Sequence, residues 1–300
     1  METWRALFRE LMPDLELVHW ASPMLDPASI RYALVWEPDP GQLKNFSNLR
    51  LIMSATAGID HILRDPALPR GIRITRMIIP ETEERMADYV CAAAYSIIRD
   101  FPMIARAQAI GRWDDTYKGR RSSETRIAVL GLGQLGLATA RRLALVGFNV
   151  SGWSRSWKSV ANVRCFVGRE GWLACTKDAD IVVNLLPGTA ETKGLIDAAF
   201  LSHLRHGASL INVGRASTVD IDALITHLAA GALRYAFLDV FEHEPLRSDD
   251  SLWSIPNVFV SAHIASRISM RSKAEQVVKW IRADRSGAEL EHVSCPHRGY

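Results

Sequence analysis

The chain has 300 residues, 48% of them hydrophobic and 23% charged, which is typical of a folded globular protein rather than of a disordered one. Its 36 basic and 33 acidic residues leave a formal net charge of +3, too small to indicate a nucleic-acid partner. At roughly 150 residues per domain, the length predicts about two domains.

The sequence shows no pattern typical of targeting or of a membrane span. Residues 1–10 carry four charges and lack an apolar core, so we expect no signal peptide. The longest nearly apolar run, Ala87–Ile98, is too short to cross a bilayer. The cysteines are widely spaced without a C-x-x-C pattern, which favours reduced thiols in a cytoplasmic protein without a membrane partner. They are Cys91, Cys165, Cys175 and Cys295.

The first part of the chain alternates short apolar runs with polar, Pro-rich connections, as an α/β protein does. Apolar residues at helical spacing then predict a long helix over Glu81–Ala109. The polar stretch Trp113–Arg126 reads as an interdomain connection. The strands predicted before that helix are Leu15–His19, Ala33–Trp36, Leu51–Ser54 and Ile72–Thr75.

The second part predicts a regular alternation of strands and helices, which is typical of a doubly wound parallel sheet of the Rossmann type. A final helix over about Ser269–Arg282 is long enough to return to the first domain. The six predicted strands are Arg126–Leu130, Asn149–Trp153, Ile181–Leu185, Ser209–Val213, Tyr235–Asp239 and Val258–Ser261.

A glycine motif of the form G-x-G-x-x-G spans Gly131–Gly136, directly after a predicted strand and at the start of a predicted helix. In that context Gly131 permits a tight turn, Gly133 admits a pyrophosphate and Gly136 allows the helix to pack closely on the strand. We include Gln134 and Leu135 in this predicted dinucleotide site, because the first turn of the helix offers N–H groups to phosphates.

The end of the following strand predicts which dinucleotide is bound. An NAD site would place Asp or Glu there, whereas this chain has Ser154, Arg155 and Ser156, with Lys158 close by. Cationic and hydroxyl groups bind the 2′-phosphate that an acid would repel, so we predict NADP in preference to NAD. The alternative is that Arg155 is a solvated residue that stacks on adenine in either cofactor.

Three polar segments follow successive predicted strands and bring Arg215, Glu244 and His263 to the same edge of the sheet. A protonated His263 could donate a proton to a carbonyl oxygen as hydride arrives. Glu244, bonded to the other ring nitrogen, would favour the charged imidazole. Arg215 could hold a substrate carboxylate and polarise the carbonyl beside it. We therefore predict these three residues as catalytic, with Arg215 and His263 also contacting substrate.

These segments resemble the D-isomer-specific 2-hydroxyacid dehydrogenase family over essentially the whole chain. Three further stretches are most similar to the glyoxylate/hydroxypyruvate reductase A branch, which prefers NADP: Ala33–Asp39, Gly152–Ser156 and His297–Tyr300. The matching segments, in the family's order, are Ser54–Leu63, Met86–Val90, Gly131–Gly136, Leu186–Asp197, Ile211–Ser217, Leu238–Leu246 and Ser261–Ser266.

The resemblance implies further site residues. Asp239 would meet the nicotinamide carboxamide, and backbone N–H groups of Ala57 and Gly58 would hold the substrate carboxylate. Trp36 would wall the pocket and favour small substrates. The remaining cofactor contacts are expected at Leu186, Pro187, Thr192, Val213 and Gly214.

The resemblance also implies a domain plan. Residues 1–98 and 284–300 would form a small flavodoxin-like substrate domain, and residues 99–283 an inserted NAD(P)-binding domain. A homodimer through the nucleotide domain is implied as well, with the arm near Trp113–Arg126 as a candidate contact. No metal site is expected, because the pair His203 and His206 has no carboxylate or Cys at ligand spacing.

The chain departs from the family pattern at several positions. Thr56 stands where the substrate loop usually has Gly, and its β-branched side chain restricts the backbone. Ala216 replaces a common Gly, and Ala262 replaces the usual Pro. Relatives begin with a β-strand, but this chain begins at the helix Glu2–Met12. Either its start is misassigned, or the small sheet lacks one strand and exposes an edge.

The combined features predict NADPH-dependent reduction of a small 2-keto acid, of the glyoxylate or hydroxypyruvate type, to the D-2-hydroxy acid. The alternative is a non-catalytic, nucleotide-sensing interaction protein of the corepressor type on the same fold, since a fold alone does not prove catalysis. Oxidation of NADPH by a 2-keto acid distinguishes the two.

Overall fold

The computed structural model describes residues 1–116 and 119–294. The predicted family motif at His297–Tyr300 and Cys295 therefore lie outside the described residues, as do two positions of the connection Trp113–Arg126. Within the described residues, no helix is long and apolar enough to cross a membrane.

The helices and strands alternate along most of the chain. The helices are α1 Glu2–Leu11, α2 Asp60–Leu63, α3 Pro80–Ile98, α4 Phe101–Ala109, α5 Gln134–Leu145, α6 Gly168–Thr176, α7 Ala198–His203, α8 Ile221–Ala229 and α9 Met270–Ser286. The strands are β1 Tyr32–Val35, β2 Leu51–Ser54, β3 Arg73–Thr75, β4 Arg126–Leu130, β5 Asn149–Ser154, β6 Val163–Val167, β7 Ile181–Asn184, β8 Ala208–Asn212, β9 Leu233–Leu238 and β10 Val258–Val260.

The chain divides into two compact units. Unit 1 consists of Met1–Thr82 and Ile268–Tyr300, and unit 2 of Glu83–Arg267. The division differs from the expected boundaries after residues 98 and 283. Most of α3 belongs to unit 2, because Val90 and Ala94 are buried in the apolar core of that unit. All of α9 belongs to unit 1, where Trp280 is buried.

Unit 1 contains a small parallel sheet with the strand order β1-β2-β3. Its apolar residues form one cluster around Trp280 and Phe8, which come from α9 and α1. A second cluster surrounds Leu43 and Ile62. Val293 makes an antiparallel bridge to Thr75, so the end of the described chain lies against β3.

Unit 2 contains a seven-stranded parallel sheet with the order β10-β9-β8-β7-β4-β5-β6. The alternating residues of β4 divide between two apolar clusters: Ile127 and Val129 belong to one, Ala128 and Leu130 to the other. Such burial on both faces is typical of a doubly wound fold. After β6 the chain returns past β4 to form β7, so a crevice opens where β4 and β7 end. The predicted α/β fold class is confirmed.

The predicted strand over Leu15–His19 is wrong. The segment contains no regular element in the structure, and its first residue closes a turn by donating its N–H to Met12 O (3.0 Å). Leu15 and Leu17 nevertheless pack against the core of unit 1. The alternation that suggested a strand therefore reflects burial of two side chains without strand pairing.

The predicted helix over Glu81–Ala109 is two helices, α3 and α4. Between them Asp100 has a φ of +54°, and its carboxylate accepts a hydrogen bond from Tyr235 Oη (2.8 Å) and pairs with Arg234. Pro102 lies in the first turn of α4, the part of a helix that tolerates a residue without an N–H. The apolar spacing continues through the break, which is why the pattern predicted one helix.

The strand β6 was not predicted from the sequence. This strand lies at the edge of the sheet and pairs only with β5 among the described strands. Of its five residues only Val163 is buried, and two are exposed, so the continuous buried apolar run that marks the inner strands is missing here. The six other strands of unit 2 were predicted within two residues of their observed ends.

Candidate active site

The glycine motif divides into two packed residues and one open residue. A Cβ on Gly131, whose φ is +99°, would lie 2.8 Å from Leu185 O. A Cβ on Gly136 would lie 1.8 Å from Gly131 O, so no other residue fits this contact between helix and loop. At Gly133 no described atom would lie within 4 Å of a Cβ. The loop thus leaves space in front of α5, at the position where the motif predicts a pyrophosphate.

The first turn of α5 supplies the electrostatics of this space. Gly133 precedes the helix and has no side chain with which to cap it. The N–H groups of the first turn have no acceptor within the helix and lie at the positive end of its dipole. Gln134 is exposed and Leu135 half-buried at this end. The arrangement fits the diphosphate of a dinucleotide.

At the end of β5, the predicted phosphate-binding residues are only partly available. Ser154 is buried, and its hydroxyl donates to Ser156 O (2.7 Å). Arg155 is exposed and makes an ion pair with Glu191, with Nη1 and Oε2 2.9 Å apart. Lys158 is half-buried. The cation was predicted from the sequence but its partner carboxylate was not, because 36 positions separate the two residues.

The loops after β7 and β8 lie against each other. A Cβ on Gly214 would lie 2.7 Å from Leu186 O, so this glycine permits a backbone-to-backbone contact. Thr192 Oγ1 donates to Pro187 O (2.5 Å) and closes the loop after β7. Leu186 and Val213 are buried. These predicted cofactor residues therefore form a packed wall beside the end of β4.

Arg215 is half-buried at the end of the loop after β8, where its Nη1 donates to Gly214 O (2.9 Å). Its carbonyl oxygen accepts from Thr218 Oγ1 (2.6 Å). Asn184 Nδ2 in turn donates to Thr218 Oγ1 (2.7 Å) and to Asn212 Oδ1 (2.9 Å). This buried amide and hydroxyl network, which sequence reasoning missed, fixes the backbone that carries the guanidinium.

His263 and Glu244 are joined by a hydrogen bond. The distance from His263 Nδ1 to Glu244 Oε2 is 2.8 Å, and the other carboxylate oxygen accepts from Phe241 N (2.9 Å). Both side chains are partly exposed, at 37% and 29%. Because Nδ1 is engaged, Nε2 is the ring nitrogen that can face a ligand. The structure thus brings this predicted pair together.

The three predicted catalytic residues follow three adjacent strands. Arg215 comes after β8, Glu244 after β9 and His263 after β10, and these strands are neighbours in the sheet. In a parallel sheet their carboxyl ends form one edge, which is the edge that also carries the glycine loop.

The carboxylate of Asp239 is buried and lies against the turn that carries His263. It accepts hydrogen bonds from the N–H groups of Ile264 and Ala265, both at 2.9 Å, and from Ser261 Oγ at 2.5 Å. The implied contact of Asp239 with a nicotinamide carboxamide stays a prediction.

The predicted substrate loop belongs to unit 1 and follows β2. Thr56 Oγ1 donates to Gly58 O (2.9 Å), and Arg76 Nε donates to Ala57 O (2.8 Å). The Thr that replaces the usual Gly therefore braces the loop with its hydroxyl. Arg76 was not among the site residues predicted from the sequence. Trp36 follows β1 and is 58% exposed.

No group of three or more His, Cys, Asp or Glu side chains that could hold a metal ion occurs in residues 1–116 and 119–294. His203, for which no role as a metal ligand is expected, lies with its Nε2 3.2 Å from Leu173 O.

The sequence of this chain matches a known protein family. A family model described as the NAD binding domain of D-isomer specific 2-hydroxyacid dehydrogenases matches residues 91–265, more than half of the chain. The chain belongs to this family. The resemblance seen in the sequence motifs is thereby confirmed.

Relatives of this dehydrogenase family match along nearly the whole chain. Glyoxylate/hydroxypyruvate reductase A of Serratia proteamaculans is 32% identical over 291 residues, which cover 95% of this chain and 92% of the relative.

Two solved structures of the family share the fold. A D-isomer specific 2-hydroxyacid dehydrogenase of Xanthobacter autotrophicus Py2, in complex with NADPH and MES, has a TM-score of 0.92 and 39% identity. An NADPH-dependent glyoxylate/hydroxypyruvate reductase of Sinorhizobium meliloti, in complex with NADP and sulfate, has a TM-score of 0.93 and 31% identity. Each match covers 100% of this chain and 96% of the other.

Proposed function

We propose that this dehydrogenase uses NADPH to reduce a small 2-keto acid, of the glyoxylate or hydroxypyruvate type, to the D-2-hydroxy acid. The observation that carries the proposal is the His263–Glu244 pair, 2.8 Å apart, on the same sheet edge as the open glycine loop. The relatives named glyoxylate/hydroxypyruvate reductase support the substrate class.

Unit 2 would hold the cofactor. Gly133 and the first turn of α5 would receive the diphosphate, and Arg155 the 2′-phosphate. When bound, NADPH supplies a hydride to the substrate carbon. The relatives crystallised with NADPH and with NADP support this choice of cofactor.

The chain's own residues would supply the proton and the substrate contacts. Protonated His263 would donate from Nε2 to the carbonyl oxygen, while Glu244 at Nδ1 orients the ring and favours its charged form. Arg215 would hold the carboxylate and polarise the adjacent carbonyl. The N–H groups of Ala57 and Gly58, which the family resemblance implies as substrate contacts, belong to unit 1.

The test is oxidation of NADPH, followed by its absorbance, with a panel of small 2-keto acids. We expect turnover with glyoxylate or hydroxypyruvate, and a higher kcat/KM with NADPH than with NADH. His263→Ala should abolish turnover while NADPH still binds. No oxidation with any acid of the panel would reject the reductase and favour the nucleotide-sensing alternative.

We also propose that the protein is a cytoplasmic homodimer. The described residues of α4 and of the segment after it expose large apolar side chains: Phe101, Ile104, Ile110 and Trp113. Exposed apolar side chains of this kind are typical of subunit interfaces. Light scattering during size-exclusion chromatography would give the mass, and a monomer at micromolar concentration would contradict this assignment.

A further inference from the structure

We propose that Tyr89 is a positioning residue that fixes the turn Ser261–Ala265, and with it His263, through Ser261 and Asp239. The inference rests on the proposed function, because it concerns the orientation of the predicted acid/base residue. Tyr89 is assigned no contact with substrate or cofactor.

The turn needs to be held, because His263 has an unfavourable backbone conformation. Its φ is +51°, in the left-handed region that residues with a Cβ seldom adopt. Such a conformation persists where surrounding bonds enforce it. Here His263 N donates to Asp239 O (2.9 Å), and the next two N–H groups donate to the Asp239 carboxylate (2.9 Å each).

A hydroxyl chain extends from that carboxylate to α3. Ser261 Oγ lies 2.5 Å from Asp239 Oδ1 and 2.6 Å from Tyr89 Oη. A carboxylate only accepts, so the Ser261 hydroxyl donates its single proton to Asp239. Ser261 Oγ must then accept from Tyr89. The direction of the chain is thus fixed, from Tyr89 to Ser261 to Asp239.

The surroundings of Tyr89 keep this chain intact. Its ring packs against the apolar core of unit 2, on the helix that carries the buried Val90 and Ala94. Burial raises the pKa of the Tyr89 hydroxyl, so the phenol keeps its proton and donates at neutral pH. Chained hydrogen bonds strengthen one another in such an environment. Loss of the first donor therefore weakens the hold of Ser261 and Asp239 on the turn.

The experiment measures kcat, both KM values, the NADPH dissociation constant and urea unfolding for Tyr89→Phe and Ser261→Ala. Removal of one hydrogen bond should lower kcat about fivefold in Tyr89→Phe. The KM and dissociation constant for NADPH should stay within about twofold of wild type. Ser261→Thr, which keeps the hydroxyl, should recover most of the loss seen in Ser261→Ala. The double variant should equal Ser261→Ala alone, because the two residues lie on one path.

Tyr95→Phe is the matched control, since Tyr95 lies on the same helix but donates to Val146 O (3.2 Å) instead. We expect it to keep wild-type kcat. If Tyr89→Phe has the same kcat as this control, the inference is overturned. It is also overturned if Tyr89→Phe loses unfolding free energy as well as kcat, and the kcat losses of the two single variants add up in the double variant. An inactive wild type would overturn the proposed function, and this inference with it. An active wild type with an inactive His263→Ala would leave the proposed function standing, whatever Tyr89 does.

Discussion

Arg155 faces both a carboxylate of its own chain and, in the proposed function, the 2′-phosphate of the cofactor. Its partner Glu191 is 73% exposed and Arg155 is 52% exposed, so the pair adds little to stability. In the proposed function its effect would instead be on the cofactor, because Glu191 would repel the 2′-phosphate and compete for the same guanidinium. Cofactor preference at this strand end would then be a balance between two opposed charges.

We expect Glu191→Gln to tighten NADPH binding about two- to fivefold, the range that exposed ion pairs contribute. NADH, which has no 2′-phosphate, should bind unchanged. Fluorescence titration at low and high salt measures both constants, and the difference should shrink at high salt. Glu275→Gln, which removes an exposed partner of Arg271 on α9, is the control. Weaker NADPH binding would mean that Glu191 orders Arg155 for the phosphate rather than competing with it.

Two thiols lie in surroundings that suppress their reactivity. Burial raises the pKa of Cys175 to about 12 and that of Cys91 to about 11. At pH 8 the thiolate is the minor form at both, below about one part in a thousand. We therefore expect iodoacetamide at pH 8 to label both cysteines only after unfolding in urea, as peptide mass spectrometry would show. Rapid labelling of the folded protein would contradict this.

At the scale of elements, the glycines of the motif Gly131–Gly136 have different roles, one in folding and one in the predicted cofactor binding. Gly136 packs against Gly131 O, whereas Gly133 faces open space. A Gly→Ala substitution should therefore impair stability at Gly136 and cofactor binding at Gly133.

Gly136→Ala should destabilise unit 2 by about 3 kcal/mol or more, because its Cβ would overlap a backbone oxygen. Gly133→Ala should keep the unfolding free energy of wild type. It should weaken NADPH binding about tenfold or more, since its Cβ would occupy the space in front of α5. Urea unfolding and fluorescence titration of both variants check this. Equal NADPH affinity in Gly133→Ala and wild type would place the diphosphate elsewhere.

The elements that the sequence predicted well are those whose signal is local. The strand β4 and the loop after it were predicted correctly because an apolar run, a glycine motif and a helix follow directly in sequence. The Asn184–Thr218 and Tyr89–Ser261 contacts join residues far apart in the chain, with no pattern at either end. The edge strand β6 was missed because it pairs with one strand only and is partly exposed, so its sequence has only a weak apolar pattern.

At the scale of the whole molecule, unit 1 is built from both parts of the chain that flank unit 2. Asp284 on α9 has a fully buried side chain that accepts from Tyr32 Oη (2.9 Å). It also pairs with Arg50 and Arg73, whose side chains are about half exposed. One carboxylate thus links α9 to β1, to the first residue of β3 and to the residue that precedes β2.

Asp284→Ala should lower the unfolding free energy of unit 1 by about 2 kcal/mol, because it leaves the half-buried Tyr32 hydroxyl and two half-exposed guanidinium groups without their acceptor. Urea unfolding followed by Trp fluorescence would report it, since Trp280 lies on the same helix. Asp249→Ala is the control: its pair with Arg247 is exposed on both sides, and we expect a change below about 0.5 kcal/mol. Equal effects would contradict the assigned role of Asp284.

The position of α9 also sets the order in which the nascent chain can fold. Synthesis completes residues 83–267 before it reaches α9, whose Trp280 fills the core of unit 1. Domains usually fold as units, the N-terminal one first, as they leave the ribosome. Here residues 1–82 cannot complete the core of unit 1 until α9 has been synthesised. By then unit 2 already has every strand of its own sheet. In chains stalled on the ribosome near residue 300, α9 has not yet left the ribosome. We therefore expect such chains to have a protease-resistant unit 2 and a protease-sensitive unit 1.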